Sequence, residues 1–94
     1  MRIEFDPAKS DKNNKERGLP FDMAEAFDWA TAVYIADNRR DYGEDRIRAL
    51  GFIGNRIYAL VFTPIHGGVR IISFRKANIR EGKRYEKEIK HHND

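Results

Sequence analysis

The sequence predicts a small α+β fold, with N-terminal helices packed on an antiparallel β-sheet (a meander) and a basic helix closing the chain. Three strand-like segments follow one another over residues 46–76, and helix start signals lie both before and after them. Because 94 residues suffice for one hydrophobic core but not for two, we expect a single domain spanning residues 1–94.

The N-terminal segment predicts a short strand and a first helix. Residues 2–5 read Arg-Ile-Glu-Phe, and such alternation of polar and apolar residues is typical of a strand. Asp6 is a suitable N-cap for a helix with Pro7 at its first position, and Gly18 is a suitable C-terminal stop. The helix between them is almost wholly polar.

A second helix is predicted from residue 22 onward. Asp22 and Glu25 have the spacing of a capping box. The residues that then recur at helical spacing are Met23, Ala26, Phe27 and Ala30. They predict an amphipathic helix that contributes much of the core.

The middle of the chain predicts strands and one charged loop. Residues 31–36 are β-prone, and the charged segment 37–45 is assigned to a solvent loop. The three strand candidates, separated by glycine-containing turns, are residues 46–53, 56–63 and 69–76. Residues 57–62 are apolar at every position, which predicts a central strand covered on both faces.

The C-terminal segment predicts a basic helix. Asn78 and Glu81 form a capping-box pattern at its start, and the helix is expected from about Ile79 to His91. Four cations fall at i, i+3, i+4 and i+7 on one helical face: Arg80, Lys83, Arg84 and Lys87. Between residues 70 and 90 there are eight cations and three acids, which suits a polyanionic partner; a solvated helix face is the alternative.

Composition excludes several kinds of site. The chain has no cysteine, which rules out a disulfide framework and a thiolate nucleophile. No spacing of histidines or carboxylates suggests a metal site, and we expect no cofactor. Without a signal-peptide pattern or an apolar stretch of membrane-spanning length, the sequence predicts a cytoplasmic protein with no membrane association.

Several short motifs resemble one protein family. The segments concerned are Asp6-Pro7-Ala8-Lys9, Asn13, Gly18, Phe21, Phe27, Glu44-Asp45-Arg46, Arg70-Ile71-Ile72-Ser73, Arg75-Lys76-Ala77, Glu81 and Arg84-Tyr85-Glu86. Together they resemble the BrnT toxins of bacterial type II toxin–antitoxin systems. Three residues of the first helix depart from the family pattern: Asn14, Glu16 and Arg17.

The resemblance implies a RelE-like fold and an RNA endonuclease that inhibits translation. It also implies a tight cognate antitoxin, typically a ribbon-helix-helix (BrnA-like) protein, in a hetero-oligomeric complex. DNA would be contacted only indirectly, through that antitoxin. A non-catalytic basic module that binds RNA or protein, including a degenerate toxin that retains antitoxin binding, is the alternative.

RNA cleavage without metal requires a base for the ribose 2′-hydroxyl, cations for the pentacoordinate phosphorane and an acid for the 5′ oxygen. The histidines are poorly placed for this, since His66 lies in a turn and His91 and His92 lie at the terminus. We therefore expect an arginine-based site.

Arg46 and Arg75 are the preferred phosphate ligands, with Tyr85 as proton donor or base-stacking platform. Glu44 is a candidate general base if the acidic loop folds over the sheet. The alternatives are solvated arginines, a Tyr85 ring packed in the core and a solvated loop.

Strand alternation limits which cations meet. Arg46 and Arg48 share one face of their strand. On the last strand, alternation places Arg75 on the face of Ile71 and Ser73. It places two second-choice RNA-binding residues, Arg70 and Lys76, on the opposite face. The remaining RNA-binding candidates are the helix cations Arg80, Lys83, Arg84 and Lys87.

Overall fold

The computed structural model describes residues 1–93, and the side chains of residues 1–90. Its strands are β1 (Arg2–Glu4), β2 (Val33–Ala36), β3 (Ile47–Ile53), β4 (Arg56–Ile65) and β5 (Gly68–Lys76). The α-helices are α1 (Pro7–Arg17) and α2 (Ile79–Asn93), and a 3-10 helix spans Phe21–Ala26. The predicted α+β class is confirmed.

The five strands form one mixed sheet in the order β1-β5-β4-β3-β2. Strands β2 to β5 pair antiparallel with their neighbours in chain order, whereas β1 pairs parallel with β5, with Ile3 opposite Val69. The sheet is therefore not wholly antiparallel. Gly68 permits the parallel pair, because a Cβ atom at this position would lie 1.8 Å from the carbonyl oxygen of Arg2.

Helix α1 begins and ends where the sequence predicts. The Asp6 carboxylate accepts a hydrogen bond from the backbone N–H of Ala8 at 2.9 Å, and Pro7 is the first helical residue. Gly18 adopts φ 70°, and its N–H donates to the carbonyl of Asn14 at 2.8 Å. Glycine adopts this left-handed conformation without a steric penalty from a Cβ atom, which explains why the helix ends here.

The prediction of a second α-helix from residue 22 onward is wrong. Residues 21–26 form a 3-10 helix, whose N-cap, Pro20, makes no side-chain cap bond. The buried residues Phe21, Ala24 and Phe27 are spaced by three, which matches the three residues per turn of a 3-10 helix. The indole N–H of Trp29 donates to the carbonyl of Ala24 at 3.0 Å, so a side chain satisfies an acceptor at the helix end.

Strand β4 separates two hydrophobic clusters. Leu60 and Phe62 belong to the larger cluster, which includes residues of the 3-10 helix. Ala59 faces the opposite side, where it packs with Leu50 and Tyr85 of α2. The predicted central strand with both faces covered is therefore confirmed for β4.

A β-bulge in β5 changes which of its side chains share a face. Val61 pairs with Ser73, but the next residue of β4, Phe62, pairs with Ile71, so Ile72 is an extra residue in β5. Such an extra residue interrupts the alternation of side chains.

The bulge overturns one prediction from alternation. Arg70 pairs with Thr63 and Arg75 pairs with Ala59, two β4 residues separated by an even number of positions. The two arginines therefore lie on the same face of the sheet and not on opposite faces. Ile71 lies instead on the other face, with Phe74, in the larger hydrophobic cluster.

Candidate functional site

Four arginines lie on one face of the sheet, which we call the arginine face. Arg46 directly precedes β3 and Arg48 is its second residue, whereas Arg70 and Arg75 come from β5 on either side of the bulge. The strand pairings place these residues on the same face as Ala59 and Thr63 of β4. Residues from distant parts of the chain thus present guanidinium groups to one surface.

Glu81, in the first turn of α2, forms ion pairs with two of these arginines, Arg48 and Arg75. Its carboxylate accepts two hydrogen bonds from Arg75, at 2.7 and 2.9 Å, and lies 3.8 Å from a guanidinium nitrogen of Arg48. It also accepts from the backbone N–H of Asn78, while the Asn78 side chain accepts from the N–H of Glu81, so the predicted capping box is confirmed. The Glu81 side chain is only 9% exposed. Hydrogen bonds from Arg75 lower the pKa of Glu81 despite this burial.

Glu44 forms ion pairs with the other two arginines, Arg46 and Arg70. One carboxylate oxygen accepts from the hydroxyl of Thr63 at 2.7 Å, and the other accepts from Arg70 at 2.8 Å. The Arg46 Nε lies 3.5 Å from the first oxygen. The acidic loop therefore folds over the sheet, which is the arrangement that a role of Glu44 as general base requires. The hydrogen bond from Thr63, followed by that from Arg70, lowers the pKa of Glu44, so this group is ionised at neutral pH.

Sequence reasoning did not identify Tyr42. The guanidinium carbon of Arg46 lies 4.1 Å from the centroid of the Tyr42 ring, within the range of a cation–π contact. This contact fixes a long side chain that is 26% exposed. The Nε of Arg46 is buried and lies 3.5 Å from the Glu44 carboxylate, so this nitrogen faces Glu44 and not solvent.

Three further residues near the site were not selected from the sequence: Arg48, Asp37 and Arg39. Arg48 could have been chosen, because the two-residue period already places it beside Arg46. Asp37 and Arg39 form an ion pair with two hydrogen bonds, at 2.7 and 2.8 Å, and Asp37 is buried although it was assigned to a solvent loop. Nothing in the charged run distinguished these two residues from their solvated neighbours.

Tyr85 packs into the smaller hydrophobic cluster on the arginine face, together with Ala59, the strand partner of Arg75. Its ring is 6% exposed and packs edge-on against Phe52, with 5.3 Å between ring centroids. Its hydroxyl donates to the carbonyl of Thr31 at 3.3 Å. This position favours the packing alternative, and the catalytic role of Tyr85 stays a prediction.

The other candidates lie at several places. Lys76 is on the opposite face of the sheet, where its strand partner Tyr58 packs against Phe74. The four cations of α2 that were RNA-binding candidates are all exposed: Arg80, Lys83, Arg84 and Lys87. His66 lies at the turn between β4 and β5, whereas His91 and His92 fall outside the described side chains.

The described residues offer neither a cluster of metal ligands nor a membrane-spanning helix. No group of three or more histidine, aspartate or glutamate side chains in this part of the chain is arranged to hold a metal ion. No helix over the same residues is long and apolar enough to cross a bilayer.

Comparison with known families identifies the chain. A family model described as the ribonuclease toxin BrnT of type II toxin–antitoxin systems matches residues 5–81. The chain belongs to the BrnT toxin family. The match includes all four arginines of the arginine face, together with Glu44 and Glu81.

Membership gives this BrnT toxin its general function, which is that of a ribonuclease toxin with an RNA substrate and a cognate antitoxin. No curated protein and no solved structure matches the chain significantly. The RelE-like fold therefore stays a prediction.

Proposed function

We propose that this BrnT toxin cleaves RNA internally without a metal ion, at the arginine face. The observation that carries the proposal is the convergence of Arg46, Arg48, Arg70 and Arg75 on one surface, held by two carboxylates. A guanidinium group binds two phosphate oxygens at once, and it stays protonated at any physiological pH.

The arginines would stabilise the additional negative charge of the phosphorane. The 2′ oxygen attacks the adjacent phosphorus, the bond from phosphorus to the 5′ oxygen breaks, and a 2′,3′-cyclic phosphate forms. Arg46 and Arg75 are the proposed main phosphate ligands, and the partial exposure of their side chains, 26% and 36%, supports this role. Arg70 is a third ligand.

Glu44 is the proposed base for the 2′-hydroxyl proton, and the 5′ oxygen takes a proton from solvent. In the free protein the Glu44 pKa is lowered by Thr63 and Arg70, which makes this carboxylate a weak base. A phosphate that draws Arg70 away from Glu44 would raise the pKa again, because one stabilising cation is lost. Substrate binding would therefore strengthen the base.

The physiological role follows from the family resemblance. RNA cleavage would inhibit translation in the cytoplasm until a ribbon-helix-helix antitoxin binds the toxin in a hetero-oligomer. DNA would be contacted through that antitoxin. Arg80 and Arg84 of α2, both exposed, would extend the track of cations for the RNA backbone.

The proposal is tested with purified toxin, freed of antitoxin, on single-stranded RNA in EDTA. We expect cleavage that leaves 2′,3′-cyclic phosphate ends. Arg46→Ala and Arg75→Ala should each lower the cleavage rate by about 100-fold or more, as removal of one charge-stabilising donor does elsewhere. Arg56→Ala is the matched control, because Arg56 is an exposed arginine on the opposite face of the same sheet.

Two results would contradict the proposal. One is a folded wild-type protein that leaves RNA intact in EDTA but cleaves it when Mg²⁺ is added. The other is full activity of both arginine variants. If the folded protein binds RNA without cleaving it under either condition, the non-catalytic module is the correct alternative.

A further inference from the structure

A second surface lies along α2, which we call the lysine groove. It has a volume of about 720 Å³ and is lined by Phe52, Lys83, Tyr85, Glu86, Lys87, Ile89 and Lys90. Its floor is aromatic and aliphatic, since Phe52 and Ile89 are half-buried there and Tyr85 is buried beneath them. Three lysines and one glutamate form its rim.

The lysine groove divides the basic stripe that the sequence predicts on α2. Lys83 and Lys87 line the groove, whereas Arg80 and Arg84 do not. The stripe therefore consists of two surfaces. The arginines belong to an exposed helix face, and the lysines border an apolar depression.

We propose that the lysine groove binds an acidic amphipathic helix of the cognate antitoxin. A helix with apolar residues at i, i+3 and i+4 would place them against Phe52 and Ile89, while flanking Asp or Glu side chains would meet Lys83, Lys87 and Lys90. This inference depends on the antitoxin that the proposed function assigns to the toxin, but not on the cleavage mechanism.

Two observations favour a protein helix over RNA at this surface. An RNA backbone gains nothing from an apolar floor, whereas burial of apolar side chains is the main source of affinity between proteins. In addition, the rim includes Glu86, whose carboxylate repels a phosphate backbone but can pair with a Lys or Arg side chain of a protein helix.

The test is titration calorimetry of the full-length toxin with its cognate antitoxin, taken from the reading frame beside the toxin gene. Lys83→Glu/Lys87→Glu should weaken binding by about 10- to 100-fold, with a smaller dependence on salt than the wild type. Arg80→Glu/Arg84→Glu is the matched control, since it makes the same change of charge on the same helix outside the groove. Its dissociation constant should stay within about threefold of the wild type.

A variant of the floor tests the apolar contribution. Ile89→Asp should also weaken binding by at least tenfold, with thermal unfolding used to show that the variant remains folded. Because half-buried Ile89 packs against a core cluster, Lys90→Glu serves as a second variant of the rim with no apolar contact removed.

Three outcomes would overturn the proposal. Equal loss of affinity in the lysine and arginine pairs would show only a general charge effect. Unchanged affinity in the lysine pair would place the antitoxin elsewhere. Loss of RNA binding with unchanged antitoxin binding would assign the groove to RNA. Binding is measured without RNA cleavage, so failure here is distinct from failure of the ribonuclease assay.

Discussion

Glu81 links the start of α2 to the arginine face through one carboxylate. It caps the helix, forms two hydrogen bonds with Arg75 and lies within 4 Å of Arg48. An acid with so little exposure is stable in its charged form only because these partners replace water. Removal of its charge should therefore change both stability and the position of two arginines.

We expect Glu81→Gln to lower the free energy of unfolding at pH 7 by about 2 kcal/mol, the usual range for hydrogen bonds to a charged group. The pKa of Glu81 is lowered in the folded state, so its stabilising effect is complete above the ordinary glutamate pKa of about 4.3. The effect is lost as the pH falls through the lower folded pKa. The difference between wild type and variant should thus shrink from pH 5 toward pH 3.

Urea unfolding at several pH values measures this difference. Glu86→Gln is the control, because Glu86 is exposed on the same helix, and it should change stability by less than about 0.5 kcal/mol. Equal stability of Glu81→Gln and wild type across this pH range would show that the ion pair contributes nothing net.

The bulge in β5 determines which arginines share a surface. Ile72 is the residue without a partner opposite it in β4, so removing it would leave an uninterrupted ladder in which Ser73 and Ile71 still face Val61 and Phe62. The arginines on either side would keep their face. Removing Val61 instead would worsen the mismatch between the two strands.

We therefore expect deletion of Ile72 to give a folded protein that retains ribonuclease activity within about tenfold. Deletion of Val61 should abolish cooperative unfolding, because it moves the buried residues on one side of the deletion to the opposite face. Circular dichroism during heating and the cleavage assay measure both. A deletion of Ile72 that fails to fold would show that the added twist of the bulge is essential.

The bulge also shows where sequence reasoning reaches its limit. The cap of α1, the central position of β4 and the capping box of α2 depend on local patterns, and all three could be predicted. The face of Arg70 depends on pairing with another strand, which a period-two pattern cannot reveal. The 3-10 helix was missed for a related reason, since Phe21, Ala24 and Phe27 fit a helix of either type until the packing against the sheet is known.

The site residues could be predicted less completely than the helices and strands. Arg46 and Arg75 could be chosen as candidates because a guanidinium fork matches two phosphate oxygens, although an arginine at a strand end is often only solvated. Whether Tyr85 faced the substrate or the core could not be decided, since a helix packed on a sheet has both kinds of position. The contact between Tyr42 and Arg46 arises from the path of an irregular loop and leaves no periodic signal.

The protein as a whole should bind RNA with a measurable dependence on salt. The four arginines of the arginine face, with Arg80 and Arg84 of α2, would each neutralise one phosphate, which predicts a slope of log K against log salt concentration of about −4 for single-stranded RNA. Arg75→Ala should reduce the magnitude of this slope by about 0.7. A 2′-O-methyl RNA, which cannot be cleaved, allows the measurement by fluorescence anisotropy.

An unchanged slope in Arg75→Ala would show that this arginine does not contact the RNA backbone. Arg56→Ala should leave both affinity and slope unchanged, since Arg56 lies on the opposite face.

The parallel pairing of β1 with β5 joins the beginning of the chain to a segment made much later. Residues 2–4 pair with residues 68–70, so the ribosome must add more than 60 residues before the first strand finds its partner. At the usual rates of synthesis this takes roughly 3 to 13 s. Arg70 and Arg75 emerge in the same late stretch, so the arginine face cannot form until most of the polypeptide has left the ribosome.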